Sequence, residues 1–290
     1  MSTVGFHTFG CKLNYSETSS ISRIFQENSY RKTSIYKNPE KIIINTCSVT
    51  ENANKKCKDL IKKIKKYSPE SKITVIGCYA QLKPKKILKI NGVDKVLGNK
   101  EKFDFKNYIN SSRKKIHSNI KESIDFNSTF SINDRTRSFL KVQDGCNYGC
   151  SFCTIPLARG RSRSNTIKNI LKNIKEISDR DIKEIVLTGI NIGDFGIQNG
   201  RRKEKLINLL QEIENLKIKN RFRISSIEPN LLSNEIIEFI LNSKKFLPHF
   251  HIPLQSGNNK ILKAMGRRYN KELYEDRVKI IKMIEPDACI

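Results

Sequence analysis

No stretch of this 290-residue chain approaches the roughly 20 consecutive apolar residues that a membrane-spanning helix requires. The first ten residues, MSTVGFHTFG, also lack the basic segment followed by an apolar segment that marks a secretory signal peptide. Acidic residues are scarce too, since 29 aspartates and glutamates stand against 55 lysines and arginines. The first two absences predict a soluble globular protein of the cytoplasm with no membrane partner.

The formal charge of +26 that results favours binding to polyanions, of which nucleic acid is the commonest. A second explanation stays open, because lysine, asparagine and isoleucine are abundant here and all have A/T-rich codons. Arginine is not favoured by that codon bias. The arginine cluster formed by Arg159, Arg161 and Arg163 is therefore the stronger indication of a nucleic-acid partner.

Eight cysteines in a chain without a secretory signal indicate metal ligands or catalytic groups, because cytosolic thiols are kept reduced. Three of them follow short β-branched runs in the first third of the chain: Cys11 follows residues 3–8, Cys47 follows 41–45 and Cys78 follows 73–76. A helical, charged segment comes after each one. Strands that alternate with helices predict a parallel sheet, in which ligands gather at the carboxyl ends of the strands. We therefore expect these three cysteines to converge.

The pattern predicts an α/β protein with a parallel-sheet domain over residues 1–105 and a polar linker over 106–137. A second domain over 138–290 has predicted strands at 138–142, 184–189, 222–226 and 249–254, separated by helices. That succession predicts the beginning of a (β/α) barrel. The chain stops at an expected fifth strand, so the barrel is predicted to be incomplete.

The strongest motif, CxxxCxxC, comprises Cys146, Cys150 and Cys153 just after the first strand of the second domain. Three thiolates on one loop hold three irons of a four-iron cluster and leave the fourth iron open to a ligand. Zinc is the alternative, but it prefers four ligands in paired CxxC spacing. Cys57 and Cys289 are assigned to no metal.

The motif resembles the radical-SAM superfamily, and further segments resemble its methylthiotransferase family. These segments are TFGCKLNYSET, INTCSVT and IGCYAQ around the first three cysteines, DGCNYGCSFCTIPLARGRSRS, LTGINIGDFG, RISSIEP and HFHIPLQSGNNKILKAMGRRY. The resemblance implies two 4Fe-4S clusters and S-adenosylmethionine. It places an auxiliary, sulfur-handling cluster on Cys11, Cys47 and Cys78, and the radical-generating cluster on Cys146, Cys150 and Cys153.

Glycine and polar residues at the ends of two barrel strands are the expected contacts of S-adenosylmethionine. Gly189 allows close approach of the backbone, and Asn191 follows it on the same loop. Ser226 and Glu228 end the next strand and are expected to bind the cofactor or the substrate. An ordinary turn at the end of the strand is the alternative for the glycine.

The stretches ARGRSRS and LTGINIGDFG resemble the enzymes that methylthiolate C2 of N6-threonylcarbamoyladenosine at position 37 of tRNA. The resemblance implies a tRNA anticodon loop as partner, a reducing donor such as flavodoxin or ferredoxin, and a monomer. Methylthiolation of isopentenyladenosine in tRNA or of a ribosomal protein stays an alternative, as does an inactive cluster-binding or RNA-binding remnant. In that family the barrel continues beyond this length and is followed by an RNA-binding β-domain, so a C-terminal truncation is expected.

Overall fold

The computed structural model describes residues 1–47, 51–109, 113–132 and 136–290, and it divides them into two compact units. The first unit comprises residues 1–123 together with 157–160, and the second comprises 124–156 with 161–290. None of the helices within these described ranges is long and apolar enough to cross a membrane.

The first unit contains a six-stranded sheet whose neighbouring strands all pair in parallel. Its strands are β1 (Thr3–Thr8), β2 (Arg31–Thr33), β3 (Lys41–Thr46), β4 (Lys72–Gly77), β5 (Lys95–Leu97) and β6 (Lys115–Ile116), in the order β2-β1-β3-β4-β5-β6. Its helices are α1 (Lys12–Glu27), α2 (Glu51–Tyr67), α3 (Cys78–Leu82), α4 (Pro84–Leu88) and α5 (Lys106–Ile109). The predicted parallel sheet is confirmed.

The central strand β3 is apolar on both sides because helices cover both faces of the sheet. Ile42 and Ile44 belong to one hydrophobic core with Ile61 of α2. Ile43, which points to the opposite face, belongs to a second core with Phe25 of α1. The run of three isoleucines therefore supplies both cores and fixes β3 in the centre.

The structure divides the chain differently from the linker predicted over residues 106–137. Helix α5 lies within that range, and β6 extends the sheet of the first unit by pairing with β5. Farther along, Phe130 forms an isolated bridge with Leu140 in the second unit. The predicted domain boundary at residue 105 therefore moves to residue 123, because the polar segment in between completes the first sheet.

The second unit contains a three-stranded parallel sheet formed by β7 (Arg137–Lys141), β10 (Glu184–Thr188) and β13 (Arg221–Ile224), with β10 in the centre. Shorter strands pair in antiparallel fashion, β8 (Gln143–Asp144) with β9 (Arg163–Ser164) and β11 (Ile197–Gln198) with β12 (Arg201–Arg202). The helices of this unit are α7 (Ile167–Ser178), α8 (Leu206–Glu214), α9 (Asn234–Asn242), α10 (Asn259–Ala264) and α11 (Lys271–Ile284). Helix α6 (Ile155–Arg159) begins in this unit, and its last three residues belong to the first unit. Three successive units, each a strand followed by a helix, match the predicted start of a (β/α) barrel.

The fourth strand predicted at residues 249–254 is wrong. The chain there is extended but forms only an isolated bridge from His249 to Cys289. Pro248 and Pro253 have no backbone N–H to donate, so they interrupt the ladder that the pattern of side chains suggested. Beyond the end of β13, the Ile227 N–H donates to the His251 carbonyl at 3.1 Å.

Candidate metal centres

The three cysteines of the first unit lie at the carboxyl ends of the neighbouring strands β1, β3 and β4. Thr8 pairs with Asn45, and Thr46 pairs with Gly77, so these strands end at nearly the same level. Cys11, Cys47 and Cys78 follow these ends within a few residues. The strand order therefore places three cysteines that are far apart in the sequence at one edge of the sheet.

A glycine with positive φ precedes two of these cysteines and allows the backbones to approach. Gly10 has φ +99°, and a Cβ added there would lie 2.6 Å from the Cys47 Cβ and 3.0 Å from its Sγ. Gly77 has φ +96°, and a Cβ there would lie 2.4 Å from the Thr46 carbonyl oxygen. Only glycine accepts both the conformation and the close contact, so each is required at its position.

Exposure differs among the three thiols, from exposed Cys11 through half-buried Cys47 to buried Cys78. Burial raises the pKa of Cys78, the positive charge of Arg159 lowers it, and the neighbouring Cys11 raises it. Two of the three cysteines are therefore close enough for their charges to interact.

In the second unit, Cys146, Cys150 and Cys153 share one short loop after β8. The Cys153 N–H donates to the Cys150 carbonyl at 3.1 Å, and the Tyr148 N–H donates to the Cys146 Sγ at 3.4 Å. All three thiols are half-buried. The pKa of Cys146 is raised to about 11, mainly by burial and to a smaller extent by the nearby Cys153 and Cys150. The loop therefore holds its three thiols within electrostatic reach of one another.

The end of α10 packs against this cysteine loop. The Ser151 N–H donates to the Met265 carbonyl at 3.1 Å. Gly266, with φ +73°, would place a Cβ 3.2 Å from the Gly149 carbonyl oxygen. Arg267, the next residue, lies with its guanidinium carbon 5.2 Å from the ring centroid of Phe152. The GRRY segment, residues 266–269, thus packs against the cysteine loop although it lies far from the CxxxCxxC motif in the sequence.

Within the described residues, no three histidine, cysteine or acidic side chains are arranged to hold a single metal ion. A four-iron cluster site differs from such a single-ion site. In a four-iron cluster each thiolate binds a different iron, so the sulfur atoms lie farther apart than the ligands of one ion. None of the cysteines forms a disulfide in the described part of the chain.

The four predicted cofactor contacts lie at the ends of β10 and β13. Asn191 accepts a hydrogen bond from the Glu228 N–H at 3.3 Å, and the Ser226 carbonyl accepts one from the Ile192 N–H at 3.1 Å. A Cβ on Gly189 would lie 2.8 Å from the Gln143 side-chain oxygen. The ends of β10 and β13 are therefore joined directly by hydrogen bonds.

Buried polar atoms without a hydrogen-bond partner among the described residues gather near this place. They are the Asn191 Nδ2, Glu228 Oε2, Asn230 Oδ1 and Arg267 Nε atoms. Glu228 nevertheless forms an ion pair with Arg267 at 2.7 Å, and its charge raises the pKa of Cys146 and of Cys150. Buried polar groups normally bind protein groups or water, so two donors and two acceptors beside the cysteine loop are available to a polar ligand or to water.

Two of the three clustered arginines are buried, which corrects their interpretation as a nucleic-acid contact. The side chain of Arg159 is 1% exposed and pairs with Glu17, whereas that of Arg163 is 10% exposed and pairs with Asp144. Only Arg161 of the three is exposed to solvent. The cluster is therefore mainly structural, and Arg161 alone is available to a polyanion.

Comparison with known proteins identifies the class of each unit. Residues 140–285 match the radical-SAM superfamily, which is half of the chain, and residues 3–98 match the uncharacterized protein family UPF0004. The second match contains Cys11, Cys47 and Cys78, and the first contains Cys146, Cys150 and Cys153.

Curated relatives refine this class. The chain is 37% identical over its full length to the threonylcarbamoyladenosine tRNA methylthiotransferase MtaB of Bacillus subtilis, of which it covers 66%. It is 33% identical to the protein of that name from Aquifex aeolicus, with 99% of this chain and 71% of the relative covered. A tRNA-2-methylthio-N(6)-dimethylallyladenosine synthase of Clostridium botulinum is 32% identical, with 100% and 67% covered. The chain belongs to the radical-SAM methylthiotransferase family and spans about two thirds of the length of these relatives.

A solved structure supports the fold. The radical S-adenosylmethionine methyltransferase TsrM of Kitasatospora setae, with cobalamin and a 4Fe-4S cluster bound, superimposes with a TM-score of 0.64 at 12% identity. The superposition covers 98% of this chain and 68% of that one. At this identity the likeness concerns the fold alone.

The residues present fit the cofactors of the family, which are a 4Fe-4S cluster and S-adenosylmethionine. Each unit offers three thiols, which would hold three irons of a four-iron cluster and would leave the fourth without a protein ligand. The buried donors and acceptors beside the second set suit a ligand that carries both an amino and a carboxylate group. The chemistry of the donors therefore agrees with the family.

Sequence reasoning missed one residue that organises the second site. Gln143 is fully buried; its amide nitrogen donates to the Gly145 carbonyl at 2.8 Å, and its oxygen accepts from the Ile190 and Asn191 N–H groups at 2.8 and 3.1 Å. It thereby joins the start of the cysteine loop to the end of β10. The available signal was a polar residue directly after the strand predicted at 138–142.

Proposed function

We propose that this chain is a methylthiotransferase that acts on C2 of N6-threonylcarbamoyladenosine at position 37 of tRNA. The observation that carries the reaction type is the pair of three-cysteine sets, one in each unit of the fold. Replacement of an unactivated aromatic C–H bond needs chemistry that no amino-acid side chain supplies. Two cluster sites in one chain are what such a reaction calls for.

We assign Cys146, Cys150 and Cys153 to the radical-generating cluster, and Cys11, Cys47 and Cys78 to an auxiliary cluster. When bound, these clusters together with S-adenosylmethionine supply the cleavage of the C–H bond and the methylthio group. The chain itself holds the thiolates, orients the ligands and excludes water. The half-buried cysteine loop and its cover by the GRRY segment serve that role.

For S-adenosylmethionine we assign Gly189, Asn191, Ser226 and Glu228. The Asn191 Nδ2 atom is a buried donor suited to a carboxylate, and the Glu228 Oε2 atom is a buried acceptor suited to an ammonium group. Gly189 lets the backbone approach closely, and Ser226 lies half-buried beside Glu228. Burial raises the pKa of Glu228, but the neighbouring Arg267 lowers it, which helps keep the carboxylate ionised.

The choice of modified base rests on the relatives. The relatives named for threonylcarbamoyladenosine are 33% to 37% identical to this chain, and the dimethylallyladenosine enzymes are 32% to 33% identical. The excess of positive charge suits an RNA substrate. We further propose that the partner is the anticodon loop of tRNA in the cytoplasm, that flavodoxin or ferredoxin supplies electrons, and that the chain acts as a monomer.

Anaerobic reconstitution tests the two cluster sites. We expect the wild-type chain to bind iron and sulfide for two four-iron clusters. Cys47→Ala and Cys150→Ala should each lose one cluster, whereas the control Cys289→Ala, at an exposed cysteine outside both sets, should keep two. Retention of two clusters by Cys47→Ala would overturn the auxiliary assignment.

Mass spectrometry of tRNA nucleosides from a deletion strain tests the substrate. We expect the 2-methylthio derivative of threonylcarbamoyladenosine to disappear and to return with the wild-type gene but not with Cys150→Ala. Loss of the methylthio derivative of dimethylallyladenosine instead would assign the chain to that second substrate. Unchanged levels of both nucleosides would point to a protein substrate and refute the proposal.

A further inference from the structure

Three charged side chains are buried together in the first unit, close to its cysteines. Arg159, Glu17 and Lys102 are each 1% exposed. The Arg159 Nη1 donates to the Glu17 Oε1 at 2.9 Å, and the Lys102 Nζ donates to the Glu17 Oε2 at 2.6 Å. Burial of charges costs free energy even when they are paired, so such a group calls for an explanation beyond stability.

The network reaches the cysteine turns through Asn14. The Arg159 Nη2 donates to the Asn14 Oδ1 at 2.7 Å. The amide nitrogen of Asn14 in turn donates to the Phe9 carbonyl at 2.8 Å and to the Thr46 carbonyl at 3.2 Å. Phe9 lies two residues before Cys11, and Thr46 lies immediately before Cys47. Arg159 therefore orients the side chain that ties these two turns together.

The network brings positive charge close to the cysteine turns. Arg159 contacts Asn14, whose amide nitrogen contacts the carbonyl oxygens of Phe9 and Thr46, so the guanidinium lies one side chain away from both turns. A cluster with three thiolate ligands would bring negative charge to these turns, and the positive charge of Arg159 would offset part of it. Glu17, which accepts from Arg159 at 2.9 Å, would act in the opposite direction.

We propose that Arg159 is a positioning residue for the auxiliary cluster, which it serves by fixing Asn14 between the cysteine turns and by raising the reduction potential of the cluster. The inference rests on the proposed cluster at Cys11, Cys47 and Cys78. A positive charge nearby favours the form that has gained an electron, and a negative charge disfavours it. Arg159 and Glu17 must then act in opposite directions on the potential.

A set of charge variants tests this through potentiometric titration, followed by electron paramagnetic resonance, of the reconstituted full chain. We expect Arg159→Gln to make reduction of the auxiliary cluster about tenfold less favourable, a downward shift of about 59 mV for one electron. Glu17→Gln should shift the potential upward. The double variant E17Q/R159Q keeps the net charge of the site and should return close to the wild-type potential.

Arg159→Lys serves as the conservative control, since it keeps the charge but loses the two-pronged contact with Glu17 and Asn14. We expect its potential to stay near that of the wild type while the auxiliary cluster is lost faster to a chelator. A purely structural role would give shifts of the same sign in R159Q and E17Q, or no shift, and either result would overturn the inference.

The number of clusters bound per chain distinguishes failure of this inference from failure of the proposed function. If the wild-type chain and Cys47→Ala bind the same number of clusters, the auxiliary site itself is refuted. If the wild type binds one more cluster than Cys47→Ala but the potentials do not follow the charges, only the role of Arg159 is refuted. Should R159Q fail to fold, E17Q still decides, because the inference requires its potential to rise above that of the wild type, and an unchanged potential in E17Q overturns the inference.

Discussion

Substitution of Gly10 by alanine should remove the auxiliary cluster and leave the radical-SAM cluster in place. The added Cβ would lie 2.6 Å from the Cys47 Cβ, whereas nonbonded carbons prefer a separation of about 3.5 Å or more. Cys47 must therefore move by roughly 1 Å. Metal–ligand distances tolerate only about 0.2 Å, so a displacement of that size breaks the coordination.

The conformation of the backbone adds a second cost. Gly10 has φ +99°, a region in which a residue with a Cβ is strained by about 1 to 3 kcal/mol. Gly200 provides a matched control, because it has φ +77° but nothing lies within 4 Å of the Cβ that would be added. Gly200→Ala thus carries the strain without the collision.

The assay is anaerobic reconstitution followed by measurement of iron and sulfide per chain, with thermal unfolding of the apoprotein in parallel. We expect Gly10→Ala to bind one four-iron cluster and Gly200→Ala to bind two. Both variants should unfold at a lower temperature than the wild type. Two clusters in Gly10→Ala, with unchanged spectra, would refute the claim that Gly10 is required for the approach of Cys47.

Three further predictions concern other positions. Gln143→Leu should lower the free energy of unfolding in denaturant titrations by at least about 1 to 3 kcal/mol, since it leaves the buried Asn191 N–H and the half-buried Ile190 N–H without their acceptor. An unchanged midpoint would contradict the role of Gln143. Burial raises the pKa of Cys57 to about 12 from its ordinary value of 9.0, so the unfolded chain loses this proton first and the free energy of unfolding falls as the pH rises from about 9 to 12. Cys57→Ala should lessen that fall. The same pH dependence of stability in the wild-type and Cys57→Ala apoproteins would contradict this prediction. Arg161→Ala should weaken tRNA binding in filter assays without changing the unfolding temperature, because its side chain is exposed. Arg163→Ala should lower the unfolding temperature, because it removes one of the cations that pair with the buried Asp144. The reverse pattern would refute the division between exposed and buried arginines.

Local patterns were sufficient to predict the places where the cysteines lie. Cys11, Cys47 and Cys78 each follow an apolar, β-branched run, and such runs alternating with helices form parallel strands whose ends share one edge. The isoleucine run of β3 shows why this works: residues buried on both faces leave few alternatives to a central strand. The convergence followed from topology and needed no contact information.

Sequence patterns did not correctly predict short or interrupted strands. Strand β6 has only two residues, Lys115 and Ile116, in a polar segment, and pairing with β5 rather than its own composition defines it. The predicted strand at 249–254 failed in the opposite way, because alternating side chains suggested a ladder that the prolines at 248 and 253 interrupt. Both outcomes depend on the hydrogen-bonding partner, which periodicity does not reveal.

The meaning of the arginine run depends entirely on tertiary contacts. Arg159 stands six residues after Cys153, yet it packs in the first unit and binds a carboxylate 142 positions earlier in the chain. Arg161, two residues on, is exposed. A charge count treats these side chains alike, although a buried guanidinium with a bound carboxylate offers nothing to phosphate. Any affinity for tRNA must therefore be sought in Arg161 and the exposed lysines, and the variants of Arg159 must be judged by the cluster they affect.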